Sequence, residues 1–306
     1  MRADTISGRT SEAAARAERL RPLLRSPCCA ARLNSGDGLQ RCVECGSEFP
    51  VLDGVPILLR DVPAEWASKT EAKTRFARRP AWRRRLLNPD LTTKGQQTRR
   101  LTEFLSAYPR GAAVMDVGSS LRRISSDVLC FDLIPTPGVD VVGDLHRIPI
   151  AEDSLDGVIC TGVLEHVADP HRVVRELWRV LKPGGRIYVS TPFLQGYHPS
   201  PTDFWRFTRD GARHLMEPFA IELVLNTRGS ASTVTWILSS FLAELVSFGS
   251  LKAYAAARAL FGWILLPLKY LDYVISENPF DHFITSGFTV IAIKRSTAGA
   301  GQPTGA

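Results

Sequence analysis

A mostly parallel α/β sheet wrapped by helices is the fold class this sequence predicts, and three observations predict it. From about residue 101, short apolar runs that end in an acid or a glycine alternate with stretches of helical character. The clearest helical stretch, His171–Leu181, is followed directly by Pro183-Gly184-Gly185 and then a further apolar run. The chain is also ordinary in bulk: 306 residues, 44% hydrophobic and 23% charged. That suits one large domain, or a domain plus a small module, and excludes collagen-like, fully disordered and disulfide-scaffold classes.

The strands can be placed in order. Ala112–Val117 is the first, carrying Asp116 and followed by Gly118. Val128–Asp132 and Val139–Gly143 follow, the second ending in Asp132 and the third leading into Asp144 and Leu145. Asp156–Thr161 is the fourth, Arg186–Thr191 the fifth, and Ile221–Asn226 and Phe288–Lys294 the last two. In a doubly wound sheet ligands sit outside the carboxyl ends of the strands, near the point where strand order reverses. Gly118 lets the backbone approach a ligand there. Asp132 offers two acceptor oxygens to a pair of ribose hydroxyls. Asp144 can accept from an exocyclic amine, and Leu145 can cover a purine face.

The amino-terminal third is different. Residues 1–20 read as a frayed arm with no secretory signal, which points to a cytoplasmic protein. Four of the six cysteines fall between Cys28 and Cys45, which suggests metal chemistry rather than disulfides. Cys130 and Cys160 read as buried small apolar residues. The net charge of +7 is unevenly spread: residues 1–110 hold 21 Lys and Arg against 12 Asp and Glu, and residues 111–306 hold 17 against 19. The excess peaks from Arg75 to Arg85, either a solvated linker or a surface for phosphate or anionic lipid.

The words VMDVGSS, FDL, GDLHRIPI, DSLDGVICTGVLEHVADP and RVLKPGGRIYVSTP, in that order over about residues 112–192, resemble the class I S-adenosylmethionine-dependent methyltransferases. The resemblance is to the type 11 group, related to quinone-biosynthesis methyltransferases. It implies a seven-stranded sheet with the last strand antiparallel, and S-adenosylmethionine on the carboxyl edge of the first four strands. It assigns Asp116 and Gly118 to the first motif, Asp132 to the ribose, Asp144 and Leu145 to the adenine, and Thr161 and Gly162 to the loop over the sulfonium. Ser119 and Ser120 stand where the group usually has a second glycine, and the short interval to Asp132 predicts an abbreviated or missing first helix. Residues 21–60 resemble a zinc-ribbon module. Cys42 and Cys45 form one knuckle, and Cys28 and Cys29 stand adjacent where the other belongs. Zinc bound by these four, or a ribbon that stands on its apolar core, are the two outcomes.

The acceptor side is expected on the loop His198–Thr208, which resembles segments in relatives acting on glycans and other small metabolites. His198, Asp203 and His166 are the candidate catalytic residues, and Trp205 and Arg206 the candidate substrate contacts. The plainer alternatives are that Glu165 and His166 pin a loop, and that Asp203 and Arg206 pair to hold a lid. Residues 228–287 form an apolar, helix-like insertion before the last strand. Its longest uninterrupted apolar run, Ala259–Leu268, is too short to span a bilayer. It is expected to cover the acceptor site, pack on a second subunit of a homodimer, or touch a membrane surface through Trp236, Trp263 and Tyr270. The sequence thus predicts a methyltransferase acting on a small-molecule, glycan- or lipid-linked acceptor. A ribosomal or transfer RNA methyltransferase and a non-catalytic partner protein are the rivals, and nucleic acid is not favoured as a ligand.

Overall fold

The structure, a computed structural model, describes residues 3–61, 71, 80–93, 95–199, 202–275 and 278–295. Residues 72–79 of the basic run and the Gly/Ala-rich tail beyond 295 lie outside them. The chain begins with helix α1, Ala3–Leu20, and four short strands: β1 Leu33–Gly36, β2 Leu39–Cys42, β3 Glu48–Leu52 and β4 Val55–Leu58. Helices α2, Ala81–Leu87, and α3, Gly95–Ser106, precede the main sheet. Its strands are β5 Val114–Val117, β6 Leu129–Asp132, β7 Val141–Gly143, β8 Leu155–Thr161, β9 Leu181–Pro192, β10 Ala220–Asn226 and β11 Gly287–Ile293.

These seven lie in the order β7-β6-β5-β8-β9-β11-β10, with β11 antiparallel to both its neighbours and the other pairs parallel. The expected seven-stranded topology is therefore present. Strand order reverses between β5 and β8, which opens the carboxyl edge of β5, β6, β7 and β8 to a ligand. The central strands read as unbroken apolar runs because both faces are covered: every residue of β5, β6 and β7 is buried. Cys130 and Cys160 are fully buried within this layer. Between β5 and β6 the chain turns without forming a helix.

Four expectations are corrected. The frayed arm expected over residues 1–20 is helical from Ala3 and anchored at its far end: Leu20 is buried, Arg16 donates to Asp140 at 3.1 Å and to the Ser126 carbonyl at 2.8 Å, and Arg19 donates to the Asp127 carbonyl at 2.8 Å. Those charged contacts fix a helix whose own sequence has little apolar surface. The ribbon is not a free-standing unit, because Ile57 and Leu58 of β4 pair in parallel with Val142 and Gly143 of β7, making one sheet of eleven strands. Lys182–Gly185, expected to be only a stop for the helix before it, does more. Helix α4, Pro170–Val180, closes at Leu181, and the Pro-Gly-Gly run then forms an irregular start to β9, opposite a register shift in β8.

The fourth concerns the insertion. After the short helix α5, Arg209–Leu215, helices α6, Ser230–Ser247, and α7, Leu251–Leu265, pack against each other, and α7 continues through a 3-10 segment into α8, Asp272–Ile275. Within Leu251–Ile275 an 18-residue window reaches a mean hydropathy of 1.3, so the run is long and apolar enough by length and composition to cross a bilayer, although its longest uninterrupted apolar run is not. Its far end is tied to the domain instead. Asp272 is buried and accepts from the Ala231 amide at 2.8 Å, the Thr93 hydroxyl at 2.6 Å and the Ser232 hydroxyl. Gly229 makes that approach possible, since a Cβ there would lie 2.2 Å from Asp272 Cγ.

Candidate functional site

The first motif turns sharply after β5. Gly118 has φ +71, and a Cβ there would lie 2.3 Å from Val163 Cγ2, so both conformation and space demand glycine. Ser120, also left-handed at φ 51, presents its amide to Asp132 Oδ2 at 2.8 Å. Asp132 Oδ1 accepts from the Ile134 amide at 2.9 Å. The carboxylate thus shapes the loops on either side of it. Asp116 lies buried in β5, and neither of its carboxylate oxygens has a hydrogen-bond partner among the described residues. Burial pushes its pKa up to about 7, opposed by the Arg122 guanidinium 3.8 Å away.

A cavity of about 240 Å³ opens at this edge. Gly118, Asp132, Asp144, Leu145 and Gly162 line it, so the structure brings together five of the seven expected cofactor residues at one surface. Asp144 caps the short turn that follows it, accepting at 2.9 Å from the His146 amide. Thr161 faces a second cavity, of about 490 Å³, where its hydroxyl is 2.6 Å from Arg122 Nη2. Gly162 and His166 line both cavities, which therefore adjoin.

The second cavity draws on remote parts of the chain. Glu165, His166 and His198 contribute from the sheet side, Pro89 to Thr92 and Gln97 from the segment just before the main sheet, and Trp236 and Arg258 from the insertion. The insertion thus covers the cavity at the carboxyl edge. Arg228, Gln97 and Arg122 carried no sequence signal, because nothing in their spacing points to a shared site. Arg228 is largely buried with its Nη1 unpartnered among the described residues, and desolvation lowers its pKa.

The 198–208 loop divides its expected roles. His198 reaches the cavity, where the Glu165 carboxylate beside it raises its pKa. Asp203 does not act there. It binds two Arg206 nitrogens at 2.5 and 2.6 Å and accepts from the His198 amide at 2.8 Å, and the Arg206 guanidinium holds its carboxyl well below the usual carboxylate range. Arg206 also donates to the Gln195 and Gly196 carbonyls, and Trp205 donates to the Val167 carbonyl at 2.9 Å. Asp203, Trp205 and Arg206, expected to be catalytic or substrate-binding, instead shape the loop that presents His198. Ser200 and Pro201 lie outside the described residues.

The ribbon cysteines converge. The Sγ atoms of Cys28 and Cys45 are 2.9 Å apart and those of Cys29 and Cys42 3.3 Å, and all four thiols lie within 4.8 Å of one another. The adjacent pair Cys28 and Cys29 thus does reach one point. Ser26, in the place of a knuckle cysteine, has its hydroxyl 2.6 Å from Cys28 Sγ.

The methyltransferase domain family matches residues 119–189, from the first-motif loop to the fifth strand of the main sheet. This chain carries a class I methyltransferase domain. Over the same region it is similar to the ubiquinone biosynthesis O-methyltransferase of Xanthomonas axonopodis pv. citri, 35% identical over 115 residues, 29% of this chain and 47% of that protein. The same enzyme of Xylella fastidiosa is 36% identical over 105 residues, 26% of this chain and 42% of that protein. The chain thus spans less than half the length of these relatives. Among solved structures, a putative methyltransferase of Bacillus halodurans superposes with a TM-score of 0.41 at 15% identity, over 66% of this chain and 100% of that one. The phosphoethanolamine N-methyltransferase 2 of Haemonchus contortus, bound to S-adenosyl-L-methionine, gives 0.40 at 14% identity, over 66% and 53%. The methyltransferase domain accounts for the smaller cavity. The walls that Pro89 to Thr92, α3 and the insertion add to the larger one lie outside the matched residues.

Proposed function

We propose that this protein transfers a methyl group from S-adenosylmethionine to a hydroxyl of a small-molecule, glycan- or lipid-linked acceptor. The observation that carries this reading is the join of the two cavities at Gly162 and His166, one fitted to the cofactor and the other covered by the insertion. The residues present fit the cofactor. Asp132 has the position for the ribose, Asp144 and Leu145 the position for adenine, and the buried carboxylate of Asp116, without a hydrogen-bond partner among the described residues, suits a positively charged ligand. When bound, S-adenosylmethionine supplies an electrophilic methyl on a positively charged sulfur. The chain must then hold the acceptor in line, keep water out and take up a hydroxyl proton. Trp236 and the insertion close the larger cavity, and the Glu165–His166–His198 group offers the polar end at which a hydroxyl is activated. The names of the curated relatives, as O-methyltransferases, support oxygen as the atom methylated.

A lipid-linked acceptor is favoured by the outer face of the insertion. Phe248 is 93% exposed, and Leu251 and Val274 are each 81% exposed, beside exposed Trp263, Tyr270 and Tyr273. Such a face suits the interfacial layer of a membrane, with the cavity mouth turned to lipid headgroups. The four cysteines would hold a structural zinc, since four thiolates gathered at one point match its donor set. Calorimetry with S-adenosylmethionine tests the core of the reading, and transfer of labelled methyl to a lipid extract tests the acceptor class. Absence of cofactor binding removes the enzyme reading. Flotation with anionic vesicles tests the membrane contact, and protein that stays at the bottom of the gradient removes it.

A further inference from the structure

One wall of the larger cavity holds a positive charge that no ion pair among the described residues balances. Arg228 stands two residues beyond β10, and its Nη1 is buried without a hydrogen-bond partner among those residues. Burial works against its charge, Asp90 favours it without pairing, and the Arg122 guanidinium nearby opposes it. Both neighbours are already engaged. Arg122 lies 3.8 Å from Asp116 and donates to the Thr161 hydroxyl at 2.6 Å, and Asp90 accepts from the Thr92 hydroxyl at 3.0 Å. A third guanidinium, Arg258, reaches the same cavity and donates to neutral groups, Ser240 Oγ and Asn88 Oδ1, each at 3.4 Å. Three guanidiniums thus face the cavity with the carboxylates of Asp90 and Glu165.

The neutral groups around Arg228 have protons to give. The Tyr188 hydroxyl is buried with no hydrogen-bond partner among the described residues, and Thr289, Gln97, Arg228 and Arg122 lie near it. The buried hydroxyls of Ser190, Thr227 and Thr289 form a chain of two links, each 3.2 Å long. Two bonds use two protons, so three hydroxyls keep one over. Ser190 and Thr227 line the cavity, as does Gln97, whose amide adds two donors. A guanidinium does not lose its proton at any ordinary pH, so a buried one calls for an anion. Its planar fork suits the oxygens of a carboxylate or a phosphate. At about 490 Å³ the cavity has room for a small molecule that brings one.

We propose that Arg228, backed by Arg122, Gln97 and Thr227, binds an oxyanion, and that the acceptor carries a carboxylate or a phosphate besides the group it has methylated. That the oxyanion belongs to an acceptor rests on the methyl-transfer reading, and the binding of the oxyanion does not. S-adenosylmethionine brings a carboxylate of its own, so the cofactor is the other source of the same chemistry. An anion held at Arg228 fixes one part of the acceptor, which narrows the ways its reacting hydroxyl can lie against the methyl.

The test reads the Tm of the full-length protein in chloride, in inorganic phosphate and in acetate, at one ionic strength. Each is measured with and without saturating S-adenosylhomocysteine, which fills the place of the cofactor's carboxylate. At least one of the two oxyanions should raise Tm above its value in chloride, and the rise should persist when S-adenosylhomocysteine is bound. The larger rise tells phosphate from carboxylate. Arg228→Met should melt in chloride no lower than the parent, because it removes a buried unpartnered donor, and should lose the rise. Calorimetry should find the oxyanion at least about tenfold weaker in this variant, with S-adenosylhomocysteine affinity unchanged. No rise in the parent, a rise kept in Arg228→Met, or a variant that melts well below the parent in chloride would each overturn the site. A rise that S-adenosylhomocysteine abolishes would give Arg228 to the cofactor and overturn the acceptor assignment. Binding of S-adenosylhomocysteine without an oxyanion effect overturns the oxyanion site alone. An Arg228-dependent rise in a protein that does not bind S-adenosylhomocysteine overturns methyl transfer alone.

Discussion

The two cavities that adjoin at Gly162 are built in opposite ways. The smaller is lined entirely by residues between Gly118 and Ala168, on strand ends and the loops that follow them. The larger is drawn from Pro89 to Arg258, from a segment before the sheet, the loop after β9 and the insertion before β11. Parallel strands with short connections place successive carboxyl ends side by side, so a cofactor site assembles from neighbours in sequence. An acceptor site covered by an insertion assembles from parts with no common spacing. The first kind of site is set by topology and the second by packing, and the two should fail separately.

Deleting residues 232–284 behind a short Gly linker is the largest break available. It should abolish acceptor turnover while calorimetry still registers S-adenosylmethionine binding, because α6 and α7 contribute to the larger cavity and not to the smaller. Loss of both would mean that the insertion supports the sheet itself, through Asp272 and its partners Ala231, Ser232 and Thr93.

The converse break is Asp132→Asn. Hydrogen bonds to a charged group run about 1.5–3 kcal/mol each, so cofactor affinity should fall at least tenfold in calorimetry. Asn is the sharper choice than Ala, since its carbonyl oxygen keeps one of the two bonds that Asp132 accepts from the Ser120 and Ile134 amides, and Ala would lose both.

Asp116 sharpens the comparison through pH. Its pKa is pushed up to about 7 by burial, and a positively charged ligand favours its ionised form. Cofactor affinity should therefore rise with pH through about 7 and weaken about tenfold for each unit below it. Stability of the unliganded protein runs the other way. The unfolded carboxyl ionises near ~3.9, so between there and about 7 the folded state binds more protons and stability falls as pH rises. Asp116→Asn should flatten both profiles, the first read by calorimetry and the second by thermal melting. A profile unchanged in the variant would locate the titrating group elsewhere.

Two smaller effects complete the series. Gly118→Ala places a methyl against Val163 in a left-handed conformation, and should cost about 1–3 kcal/mol of stability, read as a lower Tm. Trp205→Phe removes the bond to the Val167 carbonyl and should cost about 1 kcal/mol, with little change in acceptor KM. A large rise in KM would return Trp205 to the acceptor site.

The sequence was legible where chemistry and chain order coincide. Gly118, Asp132, Asp144, Leu145 and Gly162 could be placed because each ends or follows a recognisable strand, and the seven-stranded topology came with the family resemblance of the words that join them. The helix over residues 3–20 was not legible, because Arg16 and Arg19 are fixed by Asp140, Ser126 and Asp127, more than a hundred residues away. Glu165 and His198 were both visible as candidates for some role. Their meeting was not, since it depends on how the loop after β9 folds back, a path set by Arg206 gripping Asp203 and the Gln195 and Gly196 carbonyls. Local pattern gives such a loop its composition, and tertiary contacts give it its direction.

The pairing of β4 with β7 bears on how the chain is made. During synthesis the ribbon leaves the ribosome first, yet Ile57 has no neighbour on its outer side until Val142 emerges. In that interval β4 presents open backbone donors and acceptors beside an apolar row, the kind of edge on which nascent chains stick to one another. Once β7 arrives, the same pairing covers the margin of the methyltransferase sheet, which would otherwise end in bare backbone. The ribbon thus acts as a permanent seam on the domain behind it, and its removal should be felt first in yield and solubility.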